Sequence, residues 1–141
     1  MKSFIPVPKP TRDTTDYQAK AIVVSGKIAT LSGRCAIKGC SHTRIGGWDI
    51  VPHHIVHRKY GNTCALAENL FPCCVPCHSR IHHYEQDFKS QFNDMYPGLL
   101  NSLQQQARQI FKGDWADVYE TLLITYKCLL EEKAYREAHE D

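Results

Sequence analysis

At 141 residues the chain has the length of one domain, enough for a single hydrophobic core and not for two. Its formal charge is only +2, and no run of eighteen apolar residues occurs, which excludes a helical membrane span. Seven cysteines, an odd number, follow a start whose apolar residues are interrupted by prolines, a pattern that reads as cytoplasmic and favours metal ligation over disulfides.

The small net charge conceals two halves. Residues 1–90 carry twelve Lys/Arg against six Asp/Glu, and residues 91–141 carry five against nine. A charge of +6 therefore sits on the half richest in cysteine and histidine, a field that suits a phosphate backbone.

In chain order, residues 1–15, with three prolines, read as an extended basic arm. Ala19, Ile22, Val23, Ile28 and Leu31 predict a helix over 16–31. Ser32-Gly33 and Gly46-Gly47 bracket the first cysteine pair, and Trp48 to Val51 predict a short strand running into Pro52-His53-His54. Tyr60 to Glu68 reads as a loop. Pro76 sits where the first turn of a helix tolerates it, and that helix is expected to carry His78 through about Phe92. Apolar residues from Leu99 to Phe111 keep a helical period, and Asp114 reads as the N-cap of a longer helix from Trp115 to Leu130. The last two helices are expected to pair as a hairpin, their stripes serving as core or dimer seam.

From Cys35 to His83 the chain holds all but one of its seven cysteines and all but one of its eight histidines. Cys35-x4-Cys40 and Cys74-x2-Cys77 can together supply four thiolates to one tetrahedral structural zinc. Cys64, Cys73 and Cys128 have no partner at ligand spacing, and the apolar neighbours of Cys73 and Cys128 predict buried side chains. Cys74-Val-Pro-Cys77-His78 also satisfies the haem-attachment pattern C-x-x-C-H. That use implies export and leaves Cys35, Cys40 and His53-His54 without a role.

His78 and His82, four apart on a helix, project from one face and can bind one metal ion. His53 and His54, adjacent on an extended segment, point in opposite senses, so one can ligate while the other stays free. A free neutral imidazole beside a bound cation can take a proton from water near neutral pH. His42, His57 and His139 read as surface or hydrogen-bonded side chains, and His83 as facing solvent or phosphate.

The ordered string His53-His54-Ile55, Asn69-Leu70 and Cys74-x2-Cys77-His78-x3-His82 resembles the HNH endonucleases, with a spacing similar to the colicin-type nucleases. The four cysteines resemble the zinc-bearing branch of that superfamily. The resemblance covers about residues 34–83. It implies an α+β chain with a ββα-metal (His-Me finger) core stapled by a structural zinc. Around that core the helical patterns add an N-terminal helix and a C-terminal helical hairpin. Residues 1–15 are then the arm and 16–92 the nuclease domain. Residues 93–141 form a helical extension, packed on the same domain or forming a homodimer seam.

Carried over by position, the resemblance implies His54 as general base and Asn69 as the residue that positions it through the loop. It implies His53, His78 and His82 as ligands of one catalytic divalent cation. Many members have an acidic residue where this chain has His53. Three imidazoles without a carboxylate favour manganese, nickel, zinc or cobalt over magnesium. Arg58, Lys59 and Arg80 are expected to contact phosphate. The implied activity is DNA hydrolysis leaving 5′-phosphate and 3′-hydroxyl ends, in the cytoplasm, and the small size is similar to nucleases of phages and mobile elements. A non-catalytic zinc-stapled DNA-binding module would need the thiolates but not the four histidines together. A helical dimerisation protein with a zinc knuckle leaves the basic half unexplained. The DNA structure recognised is not legible, because no base-reading helix stands out.

Overall fold

Helix α1, Thr14–Ala29, opens the part of the chain that the structure, a computed structural model, describes, namely residues 14–139. The extended arm expected over residues 1–15 lies outside the described residues except for its last two, which already belong to α1. After α1 the chain folds into a knuckle. Arg34 bridges Thr43, Cys35 N donates to His42 O (3.0 Å), and Cys40 N donates to Ile37 O (3.0 Å). Gly39 near its tip has φ +85°, a conformation that favours a residue without Cβ.

Strand β1, Ile50–His54, pairs antiparallel with β2, Leu70–Cys74. The first strand begins two residues later than expected and carries the histidine doublet at its end. Pro52 lies opposite Pro72. Proline is tolerated here because in a two-stranded sheet both strands are edges, and a missing N–H that would point outward costs no ladder bond. Ala36 N donates to Pro72 O (2.9 Å), which docks the knuckle on the outer edge of β2.

The chain then enters α2, Val75–His83, with Pro76 in its first turn, and α3, Glu85–Met95. One helix was expected across this stretch. The structure breaks it at Tyr84, whose backbone (φ −127°, ψ 52°) is not helical. A straight helix of that combined length would run about 31 Å, whereas strands of five residues span about 17 Å. The break lets Ile81 and Phe92 both stay on the small sheet. Phe88 and Phe92 pack against Phe71 at 5.1 and 6.1 Å between ring centroids. These residues, with Ile50 and Leu103, form the main core.

Helix α4, Leu99–Ala107, stops short of the expected Phe111. Helix α5, Trp115–His139, starts as predicted, with Ala116 N donating to the Asp114 carboxylate at 2.8 Å. Its partner differs from the expected one. Helix α5 packs along α1, not along α4 as a hairpin, with Trp115, Val118, Tyr119 and Leu122 set around the fully buried Ala21. Lys133 Nζ closes the far end on Leu31 O (3.2 Å). Cys128, expected to be buried, is exposed on α5, whereas Cys73 is fully buried as expected. The molecule is thus α+β, and among the described residues no helix is long and apolar enough to cross a membrane.

Candidate metal centres and cleft

The knuckle and the β2–α2 junction bring Cys35, Cys40, Cys74 and Cys77 together, their sulfurs all within 4.8 Å of one another. Zinc–sulfur bonds of about 2.3 Å in a tetrahedron put sulfurs roughly 3.8 Å apart. Cys40 and Cys74 are 3.9 Å apart, which fits that geometry and is far from a disulfide bond. Burial pushes the Cys35 and Cys77 thiols up, and at Cys77 the other three thiols add to the effect. The Cys40 thiol is held down, first by the backbone N–H of His42. Such a crowded, buried sulfur set suits a divalent cation, which deprotonates its ligands as it binds.

His42 completes this cluster from outside. Its Nδ1 lies 3.1 Å from Cys74 Sγ, and its ring stacks on Trp48 at 3.6 Å and 10°. An N–H there stabilises a thiolate, and the indole fixes the ring. The sequence carried a signal for this contact in the spacing Cys40-x-His42.

One residue along α2, a second cluster begins. His53, at the end of β1, meets His78 and His82 on α2, with one ring nitrogen from each lying within 4.8 Å of the others. The Nε2 atoms of His78 and His82 are 3.0 Å apart. Metal–nitrogen bonds of about 2.1 Å in a tetrahedron put nitrogens roughly 3.4 Å apart, a spacing that the His78–His82 pair meets, and His53 stands near enough for the three to be a candidate ligand set. Burial, then repulsion from His78 and His82, lowers the His53 pKa to about 4, and burial lowers His78 as well. Neutral imidazole is the form that ligates. Exposure rises from the buried His53 through His78 to the exposed His82, so the cluster is open on one side.

That side is a cavity of about 650 Å³, roofed by α1. Gly26 of α1 stands so close to β1 that an added Cβ would lie 3.0 Å from Pro52 Cγ. The close approach carries Lys27 to the cavity wall, where it joins Arg58 and His57. Lys27 was not among the expected site residues, since only tertiary packing brings α1 here.

His54 lines the same cavity without belonging to the cluster. Its Nε2–H donates to Cys64 O (3.1 Å), leaving Nδ1 with a free lone pair. Burial lowers its pKa, against the opposing pull of that carbonyl, so the ring is neutral at pH 7. Asn69, fully buried, ties the loop in three places. Its Oδ1 accepts from Val56 N (2.8 Å), and its Nδ2 donates to Val56 O (3.0 Å) and Thr63 O (3.1 Å). The loop so held is the one that presents the Cys64 carbonyl to His54.

Of the three expected phosphate contacts, Arg58 reaches the histidine cleft. Lys59 opens onto a neighbouring hollow, with Nζ 5.1 Å from the Tyr60 ring centroid. Arg80 faces a different hollow, with Lys38 and Asp87. His83 turns back onto Ser79 O (2.9 Å) at the surface, in keeping with the expected solvent-facing position. No family model, curated protein or solved structure matches this chain.

Proposed function

We propose that the chain is a metal-dependent DNA endonuclease of the HNH type, with β1, β2 and α2 as a ββα-metal core. The observation that carries this reading is the division of labour at the histidine doublet. His53 points into a three-imidazole cluster, while His54 is neutral, oriented by a backbone carbonyl and unligated in the same basic cavity. A binding module stapled by zinc needs no such pair. The strand explains the division, because successive side chains point to opposite faces.

A cation held by His53, His78 and His82 supplies Lewis-acid stabilisation of charge developing on the phosphate. The chain's own residues do the rest. His54 accepts the proton of the attacking water at Nδ1 and keeps its orientation through Nε2–H. Asn69 acts one step back, fixing the loop that carries the Cys64 carbonyl. Arg58 and Lys27 hold the phosphodiester from two walls of the cavity. In-line attack by water then releases a 3′-hydroxyl and leaves a 5′-phosphate.

The test is incubation of plasmid, single-stranded and branched DNA with manganese, nickel or magnesium, with His54→Ala as control. Cleavage is expected in manganese and nickel and to a lesser extent in magnesium. The variant should lose roughly 100-fold to 10,000-fold in rate while keeping its melting temperature and bound zinc. Cleavage retained by His54→Ala overturns the assignment of the base, and no cleavage of any DNA with any metal leaves the non-catalytic module as the better reading.

A further inference from the structure

The histidine cleft is the first of three hollows that share walls. His57 lines both the cleft and a hollow of about 410 Å³ beside α4. Lys89 and Gln104 line both that hollow and a third of about 520 Å³ across α3 and α4. The chemistry changes along the series. The middle hollow carries Lys59, Lys89 and Arg108 against one carboxylate, Glu85, which pairs with Lys89 at 3.5 Å, so three cations less one anion leave +2. Tyr60, 37% exposed, stands at its wall. Besides Lys89, the polar groups of the third hollow are neutral, chiefly the amides of Gln86, Asn93, Asn101 and Gln104.

We infer that the three hollows form one track, which carries the substrate's nucleic-acid backbone away from the cleft across α3 and α4. The inference rests on the nuclease reading and deepens it. Lys59 and Arg108 contact phosphates next to the cleft, since cationic side chains without a carboxylate partner attract a polyanion and release its counterions. Tyr60 offers a face on which an unpaired base stacks. Farther out, the amides donate to phosphate and sugar oxygens, contacts that position a strand without reading its sequence. The track gives residues 93–111 a role in substrate binding, and it accounts for Lys59 lying outside the cleft while bordering it.

The test measures binding of labelled single-stranded and duplex DNA to the His54→Ala protein by fluorescence anisotropy across a salt series. Two further pairs of changes are made in that background, Lys59→Ala with Arg108→Ala on the track, and Lys38→Ala with Lys127→Ala elsewhere on the surface. Each pair removes the same charge, and melting temperatures verify folding. The track pair should weaken binding about tenfold or more and lower the log–log salt slope by about 2, while the other pair changes the slope by less than half as much. Tyr60→Ala in the same background should weaken binding of single strands more than of duplex, and an equal effect on both removes Tyr60 stacking from the track. Equal effects of the two pairs overturn the track and leave the nuclease reading standing. If neither DNA form binds at any salt, the nuclease reading falls and the track falls with it.

Discussion

Cys77 and His78 are neighbours in the first turns of α2, yet they belong to two clusters built differently. In the cysteine cluster three of the four residues are buried, the four sulfurs lie within 4.8 Å of one another as a full candidate ligand set, and His42 on Trp48 closes one side. In the histidine cluster there are three ligands, graded from buried to exposed, and a cavity lies where a fourth would be. A closed site holds its ion as part of the scaffold, whereas an open one leaves room for water or substrate. Because the two meet at adjacent residues, the scaffold site sets the start of the helix that carries two of the three imidazoles.

The largest effect should come from the closed site. Cys74→Ser removes one of the four candidate ligands at which β2, α2 and the knuckle meet and takes away the sulfur partner of His42. Structural zinc contributes roughly 10 kcal/mol or more of apparent binding energy coupled to folding. The melting temperature should fall by more than about 15 °C, with one zinc lost per chain by metal analysis. His82→Ala, at the exposed edge of the open cluster, should shift melting by only about 2 °C or less. Equal losses in the two variants would break the distinction between the closed and the open site.

Asn69 stands at the other end of the sheet from Cys74, next to Leu70 and beyond the histidines, and its removal should have the next largest effect. Asn69→Ala strips partners from Val56 N, Val56 O and Thr63 O inside a fully buried position. Each unpaired buried group costs about 1–3 kcal/mol, so a total of about 3 kcal/mol or more is expected by urea unfolding. Cleavage should fall further than stability explains, because the loop also presents the carbonyl that orients His54. A stability loss with an unchanged rate at low temperature would restrict Asn69 to scaffolding.

Much of this contrast is legible in the residues themselves, because both ligand sets come from short spacings. Cys35-x4-Cys40, Cys74-x2-Cys77 and His78-x3-His82 survive any reasonable folding of the intervening chain, and their convergence needs only the β1–β2 pairing and the docking of the knuckle on β2 through Ala36 N and Pro72 O. The helical wheel could also have moved Arg80 off the cleft, since it sits about 200° around α2 from His78. Other features depend on tertiary choices that a pattern does not name. An amphipathic stripe tells which face of α5 is buried but not that α1, instead of α4, covers it. Ile81, Phe88 and Phe92 are compatible with one helix or with two broken at Tyr84. Lys27 reaches the cavity only because Gly26 lets α1 approach Pro52.

Acid should separate the two clusters by an effect smaller than that of Cys74→Ser or Asn69→Ala. With the imidazole site unloaded, His53 is held at about 4, against an ordinary 6.5, by burial first and by the neighbouring histidines next. Between those values the unfolded chain binds a proton that the folded chain refuses. Stability therefore rises with pH across this window and is lost as pH falls from about 6.5 towards 4. His54 and His78, also lowered by burial, act in the same direction. The shift caps the His53 share at roughly 3 kcal/mol. The cysteine cluster responds to acid as well, since protons compete with zinc for thiolates. The comparison that isolates the imidazoles is therefore the urea midpoint of the parent against His53→Asn at pH 7 and pH 4.5. The parent should lose more stability than the variant between these two pH values, and an equal loss in both would assign the whole acid response to the closed site.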